Sequence, residues 1–340
     1  MTAVLSPETL GRCRAQVQPQ LRAAVDRLDP ATRDVTSYHL GWTEADGTPR
    51  AAGGGKAVRP TLALLSAELA GADCSVGLPG AVAVELVHNF SLLHDDVMDH
   101  DHERRHRRTV WSLWGVPCAI LTGDALQGLA QEVVLDSGSP HAAAAARCLN
   151  AATAELIRGQ VADLAFERRA SITLDECFDM VAGKTGSLLG ASCAIGAVLT
   201  GAPPELVAAL DAHGRHLGTA FQLVDDLLGI WGDPATTGKP VLADLRARKK
   251  SLPVTRALAA DGSAAAELGR WYATDPAGDT EPDLHRAADL VAATGARAWA
   301  EATAEEELDR AAAVLEDLPL PPEPHADLLE LGRWLTRREC

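Results

Sequence analysis

Two Asp–Asp pairs in this chain each emerge from an apolar run, in SLLHDDVMDHDHERRHRR beginning at Ser91 and in FQLVDDLLGIWGD beginning at Phe221. Upstream of the first, AVAVELVHNF carries the apolar repeat of a buried helix. On such a helix Asp95 and Asp99, four residues apart, share a face, with Asp96 beside them. Like charges at that spacing repel, and the negative end of the helix dipole adds to the repulsion. A charge run is usually a solvated face. Carboxylates continuous with a buried segment line a cleft instead, and there they require cations. One acidic doublet at a helix end is a common accident. Two of them, each leaving a buried helix, restrict the fold to one whose apolar helices deliver acids to an interior.

The rest of the chain agrees with helices. Of 340 residues, 47% are hydrophobic and only 4% aromatic, enough for a sizeable core built from small and branched side chains. Ala-rich segments such as HAAAAARCLNAATAELIRGQ favour helix over strand. Residues 1–40 read as one or two amphipathic helices, GWTEADGTPRAAGGGK as a loop, and residues 59–260 as successive helices with short breaks. LDECFDMVAGKTGSLLGASCAIGAVL reads as one long helix despite its glycines, and GDPATTGKPVLADLRARKKS as a mobile loop. PLPPEP breaks the chain before a last helix. No alternating strand pattern persists, so the class is all-α.

A formal net charge of −16 argues against a nucleic-acid binder, though not against a local basic pocket. Seven cysteines, Cys13, Cys74, Cys118, Cys148, Cys177, Cys193 and Cys340, form no CxxC pair and are odd in number. They read as reduced thiols of a cytoplasmic protein. MTAVLSPETLGRCR lacks the pattern of a signal peptide. Glu85 and His88 interrupt the best apolar run, so no membrane span is expected.

The donors near the acids are hard oxygens, which suit Mg²⁺ better than zinc. Magnesium binds through a few carboxylates plus substrate phosphate, so the substrate is expected to be phosphorylated. Cations surround both acid clusters: Lys56 and Arg59 in GGGKAVRP, then Arg104, Arg105, Arg107 and Arg108, then Lys184, Lys239, Lys249 and Lys250. Each alone reads as a solvated charge. With the acids they suggest one compartment for two phosphorylated groups, one bound through metal and the other through Arg and Lys directly. Nucleotide motifs fail: a P-loop ending at Lys56 would need Gly at Arg50 and Ser or Thr at Ala57, and one ending at Lys239 would need Gly at Asp233.

In order along residues 53–255, GGGKAVRP, DDVMDHDHERR, GQVADL, GKTG and FQLVDDLLG…GDPATTGKP resemble the motif blocks of the trans-isoprenyl diphosphate synthases, or polyprenyl synthetases. The resemblance implies a single domain over 1–340: N-terminal helices and loop in 1–52, a catalytic core in 53–255 and C-terminal helices in 256–340. It implies a helical bundle around a deep central cavity, usually a homodimer, and head-to-tail condensation of isopentenyl diphosphate with an allylic diphosphate. Carried over by motif, Asp95, Asp96 and Asp99 would hold Mg²⁺ on the allylic diphosphate, and Asp225 and Asp226 a further ion, with three ions expected around bound diphosphate. Lys56, Arg59, His88 and Arg105 would bind isopentenyl diphosphate. Arg104, Lys184, Lys239 and Lys249 would hold the allylic diphosphate, while Thr185 and Gln222 put oxygen dipoles near the carbocation.

This chain departs from the family pattern at Gly229, which replaces the second motif's third Asp, with Asp233 as a possible substitute four residues on. A carboxylate restored at Gly229 is therefore expected to be tolerated. His106 replaces the glycine after the paired arginines, and Arg108 replaces the proline before Thr109. A terpene cyclase shares the DDxxD motif, but DDLLGIWGD lacks that class's second motif and GGGKAVRP has no use in it. LLHDDV admits an HD-type phosphohydrolase with His39 and His88 as further ligands. A non-catalytic partner subunit would have lost first-motif aspartates. His100, His102 and His106 read as exposed and Trp111 and Trp114 as core. Chain length should depend on Phe90 and Ser91, about one helical turn before Asp95. Bulky Phe90 with small Ser91 resembles a geranylgeranyl (C20) synthase, with farnesyl (C15) the next alternative and longer chains after it.

Overall fold

The computed structural model describes residues 8–50, 55, 57–232, 241–274 and 278–336. The helices are α1 (Glu8–Val25), α2 (Pro30–His39), α3 (Val58–Leu69), α4 (Leu78–Met98), α5 (Val110–Trp114), α6 (Val116–Leu135), α7 (Ala142–Glu167), α8 (Leu174–Val181), α9 (Ser187–Thr200) and α10 (Pro204–Trp231). There follow α11 (Ala243–Arg246), α12 (Leu252–Leu258), α13 (Ser263–Tyr272), α14 (Glu281–Ala293), α15 (Ala296–Ala313) and α16 (Pro322–Thr336). Among the described residues the only paired strands are β1 (Glu103–Arg104) and β2 (Arg107–Arg108), an antiparallel hairpin within the basic run. The all-α class read from the sequence stands.

The chain groups into two compact units: Met1–Thr153, Gly190–Asp211 and Asp317–Glu330 in one, Ala154–Leu189, Ala212–Glu316 and Leu331–Cys340 in the other. In the first unit α4 packs on α1, α3 and α6. A helix with neighbours on several sides must be apolar nearly all round. Accordingly Ala81, Val82, Val84, Leu86, Val87 and Leu93 are all but inaccessible. Each large side chain among them contributes roughly 1.5–3 kcal/mol by burial. A 3-10 turn over Cys74–Gly77, capped by Asp73 accepting from the Ser75 amide, leads into the helix, and Pro79 fills a first-turn position. It ends at Met98, with Asp99 as its C-cap and His100 at φ +56°, the left-handed stop of a helix terminus.

In the second unit α10 serves two apolar clusters. Leu223 and Leu227 pack with Phe166, Met180 and Leu252. Ile230 packs with Leu245, Leu268, Leu284 and Val291. α8 starts at a capping box between Thr173 and Glu176. The sequence predicts one helix through the glycines that follow, and the chain is continuous from Leu174 to Thr200. It contains one irregularity, a π-helical turn over Ala182–Gly186.

Two helical stretches, Cys74–Met98 and Leu174–Thr200, are long and apolar enough to cross a membrane, but 67% and 78% of their most apolar windows are buried within the protein. They are core helices, consistent with the expectation of no membrane span. The segment read as one mobile loop is only partly so described: residues 233–240 lie outside the described residues, while α11 and the turn after it are ordered by backbone bonds, including Lys249 N to Asp244 O at 2.9 Å.

Candidate active site

In the first unit the acid cluster sits at the end of α4. Asp95 is half-buried, Asp96 is 1% exposed and Asp99 is open to solvent. The three therefore differ, although the motif treats them alike. Arg104 Nε donates to Asp96 Oδ1 at 2.6 Å, and Asp96 Oδ2 is buried without a partner. Burial pushes the Asp96 carboxyl up to about 6, against the pull of Arg104.

The hairpin explains how adjacent arginines serve different places: Arg104 ends β1, while Arg105, at φ +53°, opens the tight turn and sends its side chain in another direction. Arg104 reaches Asp96, whereas the Arg105 guanidinium lies against Gly55. Arg107 donates to the carbonyls of Tyr38 and Thr43 at 2.7 and 2.8 Å and stacks on the Tyr38 ring. Arg108 donates to the Ser112 carbonyl. Arg107 and Arg108 thus anchor the hairpin while lining the same cavity as Asp96, Arg104 and Arg105.

α3 and α4 face each other through a buried polar group. Arg59 Nη1 lies 3.5 Å from His88 Nε2, and Arg59 Nε is buried without a partner. Burial lowers the Arg59 guanidinium to about 10, against Glu85 and with Arg105. Burial first, then Arg59 and Arg105, hold His88 well below the ordinary imidazole value, so it is neutral. Asn89 Nδ2 donates to the Glu85 carbonyl at 2.8 Å and to its carboxylate at 3.3 Å. Sequence marks Glu85 only as a charge interrupting an apolar run and does not mark Asn89, because an acid and an amide inside such a run carry no spacing signal for a site.

Phe90 is 7% exposed and meets the His94 ring edge-on at 4.9 Å. Ser91 is buried too, its hydroxyl donating to the His88 carbonyl at 2.8 Å. Both are part of the helix's buried surface. Of the remaining expectations, His102 stacks 4.7 Å from the Trp111 ring, and Trp114 is 38% exposed against Tyr38, so Trp114 is not core. It is the last residue of the five-residue α5, followed directly by Gly115 as C-cap.

In the second unit Lys184 and Thr185 lie on the π turn, an irregularity that often marks functional sites. Gly159 of α7 permits it, since any Cβ there would strike the backbone of Lys184. Lys184 Nζ donates to Asp163 at 2.5 Å, both in GKTG and GQVADL respectively. Thr185 Oγ1 donates to Gln222 Oε1 at 2.8 Å, Gln222 Nε2 to Asp226 Oδ1 at 2.8 Å, and the Leu252 amide to Asp226 Oδ2 at 2.9 Å. Thr185 and Gln222 are thus brought together. Asp226, 2% exposed, is the node of this chain, and burial pushes its carboxyl up to about 6. Asp225, its sequence neighbour, is exposed.

Gly229 is where the second motif loses its third Asp, and a Cβ there would run into the carboxylate of Asp244. The side chain of α11 occupies that space. A side chain at Gly229 would have to displace the Asp244 carboxylate, the movable end of a rotatable side chain and not backbone. The sequence reading considered Asp233 for this role; Asp233, Lys56 and Lys239 lie outside the described residues. Lys249 joins the same neighbourhood. Burial alone would lower its ammonium, but Asp244, Asp226, Asp163 and Asp225 together hold it above the ordinary lysine value.

Among the described residues no three His, Cys, Asp or Glu side chains converge on one point. Nothing there supports the histidine-rich metal centre of an HD-type phosphohydrolase. A cation that takes one or two carboxylates and completes its shell with water and phosphate oxygen fits the oxygen donors on hand, including the unpartnered Asp96 Oδ2.

Comparison with known proteins agrees with this arrangement. Residues 48–288 match the sequence profile of the polyprenyl synthetase family. A (2E,6E)-farnesyl diphosphate synthase of Mycobacterium tuberculosis is 51% identical over 333 residues, covering 97% of this chain and 93% of that protein. A geranylgeranyl diphosphate synthase of the same species is 43% identical over 339 residues, covering 99% and 95%. The crystal structure of a polyprenyl synthetase from Streptomyces coelicolor superposes with a TM-score of 0.93 at 48% identity, covering 97% of this chain and 99% of that one.

Proposed function

This chain belongs to the polyprenyl synthetase family, and from that premise we propose that it joins isopentenyl diphosphate head-to-tail to an allylic diphosphate and releases farnesyl diphosphate (C15). The class rests on the family. The chain length rests on one observation: higher identity to the farnesyl synthase, at 51%, than to the geranylgeranyl synthase, at 43%. The second reading is a C20 product, favoured by small Ser91 beside Phe90.

In the reaction the allylic C1–O bond breaks and diphosphate leaves with the electron pair. The isopentenyl double bond supplies the pair for the new carbon–carbon bond, and a proton is then lost to the released diphosphate. Arg59, His88 and Arg105, with Lys56, take isopentenyl diphosphate. The buried, unpartnered Arg59 Nε supports an anionic partner there. Arg104, Lys184, Lys239 and Lys249 take the allylic diphosphate as point charges and forks. When diphosphate binds, Lys184 exchanges its contact with Asp163 for phosphate oxygen. Asp95 and Asp99, which share one face of the α4 terminus, would hold magnesium together with Asp96, and Asp225, Asp226 and Asp244 would form the second set, with three ions expected around bound diphosphate. The chemistry that Mg²⁺ supplies when bound is Lewis-acid neutralisation of the departing diphosphate. Thr185 and Gln222 direct oxygen toward the developing cation. The buried apolar helices exclude the water that would quench it.

We read the chain also as a cytoplasmic homodimer. Reduced thiols support the compartment: among the described residues every cysteine is free. Exposed Val116, Ile120 and Leu121 of α6, the last 67% exposed, support a partner surface. Sedimentation tests the dimer.

The activity is tested by incubating the protein with isopentenyl diphosphate and each allylic primer, with and without Mg²⁺, and measuring product length. Farnesyl diphosphate should dominate and require the metal. Dominant C20 product transfers the reading to geranylgeranyl synthesis, and no condensation with any primer overturns the class. Phe90→Ala should lengthen the product and Ser91→Phe shorten it.

A further inference from the structure

Lys249 stands next to a residue in an unfavourable conformation. Arg248 has φ +52°, the left-handed region, which is unfavourable for an L-residue. Such strain persists only where surrounding structure over-determines it. Here the surrounding structure is specific. Arg248 Nη2 donates to both carboxylate oxygens of Asp279 at 2.9 and 2.7 Å, and Nε donates to the same carboxylate at 3.2 Å. Nη1 donates to the Trp271 carbonyl, and the guanidinium lies 3.3 Å above the Trp271 ring. The two charged side chains are only 12% and 13% exposed. On the other side of the strained residue, the Lys249 carbonyl accepts from Tyr272 Oη at 3.1 Å. The clamp therefore grips the side chain before Lys249 and the carbonyl of Lys249 itself.

The contrast with the neighbouring Arg246 is informative. Arg246 pairs with Glu281 at 2.5 Å, but at 48% and 63% exposure, so that pair is a surface contact of little consequence. The Arg248 pair is desolvated, bidentate and stacked on an aromatic ring, all of which strengthen and orient it. It joins the end of α13 and the residue before the N-cap of α14 to the turn that carries Lys249.

We propose that Arg248, Asp279 and Tyr272 form a positioning clamp that holds the left-handed turn at residue 248 and so fixes the direction in which the Lys249 side chain leaves the backbone. None of the three touches substrate. The proposal rests on the reading of Lys249 as a ligand of the allylic diphosphate, and its test separates the two.

The variants are Arg248→Ala, Arg248→Gly, Asp279→Asn, Lys249→Ala and, as a control, Arg246→Ala. Kinetic constants are measured for each substrate separately, with the rate of acylation of the Lys249 amine by a soluble ester, read by mass spectrometry of the folded protein. Arg248→Ala should raise the KM for the allylic diphosphate about tenfold, leave that for isopentenyl diphosphate within twofold, and speed acylation of Lys249 at least fivefold. Asp279→Asn should move both in the same direction by less. Arg248→Gly should recover much of the kinetic loss, because glycine takes a positive φ without strain. Arg246→Ala should change neither. Unchanged acylation in Arg248→Ala and Asp279→Asn overturns the clamp, whatever the kinetics. Faster acylation with an allylic KM that Lys249→Ala itself does not move upholds the clamp and overturns the role given to Lys249. If Arg248→Ala does not fold, Asp279→Asn and Arg248→Gly carry the test alone.

Discussion

The two acid clusters are built in opposite ways. Asp95, Asp96 and Asp99 come from one helix end, and their relative placement follows from spacing alone. Asp225 and Asp226 are adjacent in α10, yet one is exposed and the other is 2% exposed and bonded through both oxygens. The carboxylate that fills the place next to them comes from Asp244, on another helix. A cluster on one helix can be lost by one local change. A cluster assembled from separate segments depends on every contact that brings those segments together, and it can replace a missing member from elsewhere in the chain.

The sharpest way to break this comparison is to remove one acid from each. Asp95→Ala should lower kcat by about 10²–10³-fold, as loss of a leaving-group stabiliser does, with isopentenyl diphosphate binding little changed. Asp225→Ala should cost less, because Asp226 and Asp244 remain. Equal losses in steady-state assays would mean the second cluster has no such reserve.

Next in size is Gly229→Asp. The added side chain must displace the Asp244 carboxylate and sets a like charge beside it, a loss of up to about 1–3 kcal/mol if Asp244 cannot swing aside. Urea unfolding should show that loss together with reduced turnover. Gly229→Asp combined with Asp244→Gly should recover much of both, moving the carboxylate from α11 to α10. Failure of the double variant would show that Asp244 is needed for more than its carboxylate, for instance to hold Lys249.

The pH dependence links the two clusters, since Asp96 and Asp226 are both pushed from 3.8 to about 6 by burial. The native state keeps these protons to higher pH than the unfolded chain, so the stability they contribute is full below pH 3.8 and lost as pH rises through about 6. Without metal, Asp96→Asn and Asp226→Asn should each flatten the unfolding midpoint between pH 4 and 7 relative to the parent. Catalysis should run the other way in the parent, rising through pH 6 as the carboxylates ionise. A parallel rise of stability and activity would contradict the assigned direction.

The smallest effect concerns the hairpin that serves the first cluster. His106 has φ +60° in the tight turn between β1 and β2. His106→Gly should raise stability by about 0.5–1 kcal/mol in the same unfolding assay, with the allylic KM unchanged. A fall in stability would mean that the imidazole holds the turn by contacts of its own.

Local spacing determined much of this protein. The apolar repeat before Asp95, the Ala-rich runs and the caps at Asp73 and Thr173 act within a few residues, and they specified an all-α chain with two acidic helix segments. The ordered motif blocks carried the family. What only the tertiary structure decided lies where distant segments meet: Asp244 in the space left by Gly229, Arg104 and Arg105 sent to different partners by the tight turn that starts between them, and Asp279 closing on Arg248. A sequence pattern reports periodicity along one element. It does not report which side-chain volume fills a gap on another, or which strained φ a distant ion pair will hold, because those depend on how closely backbones approach once the cores have packed.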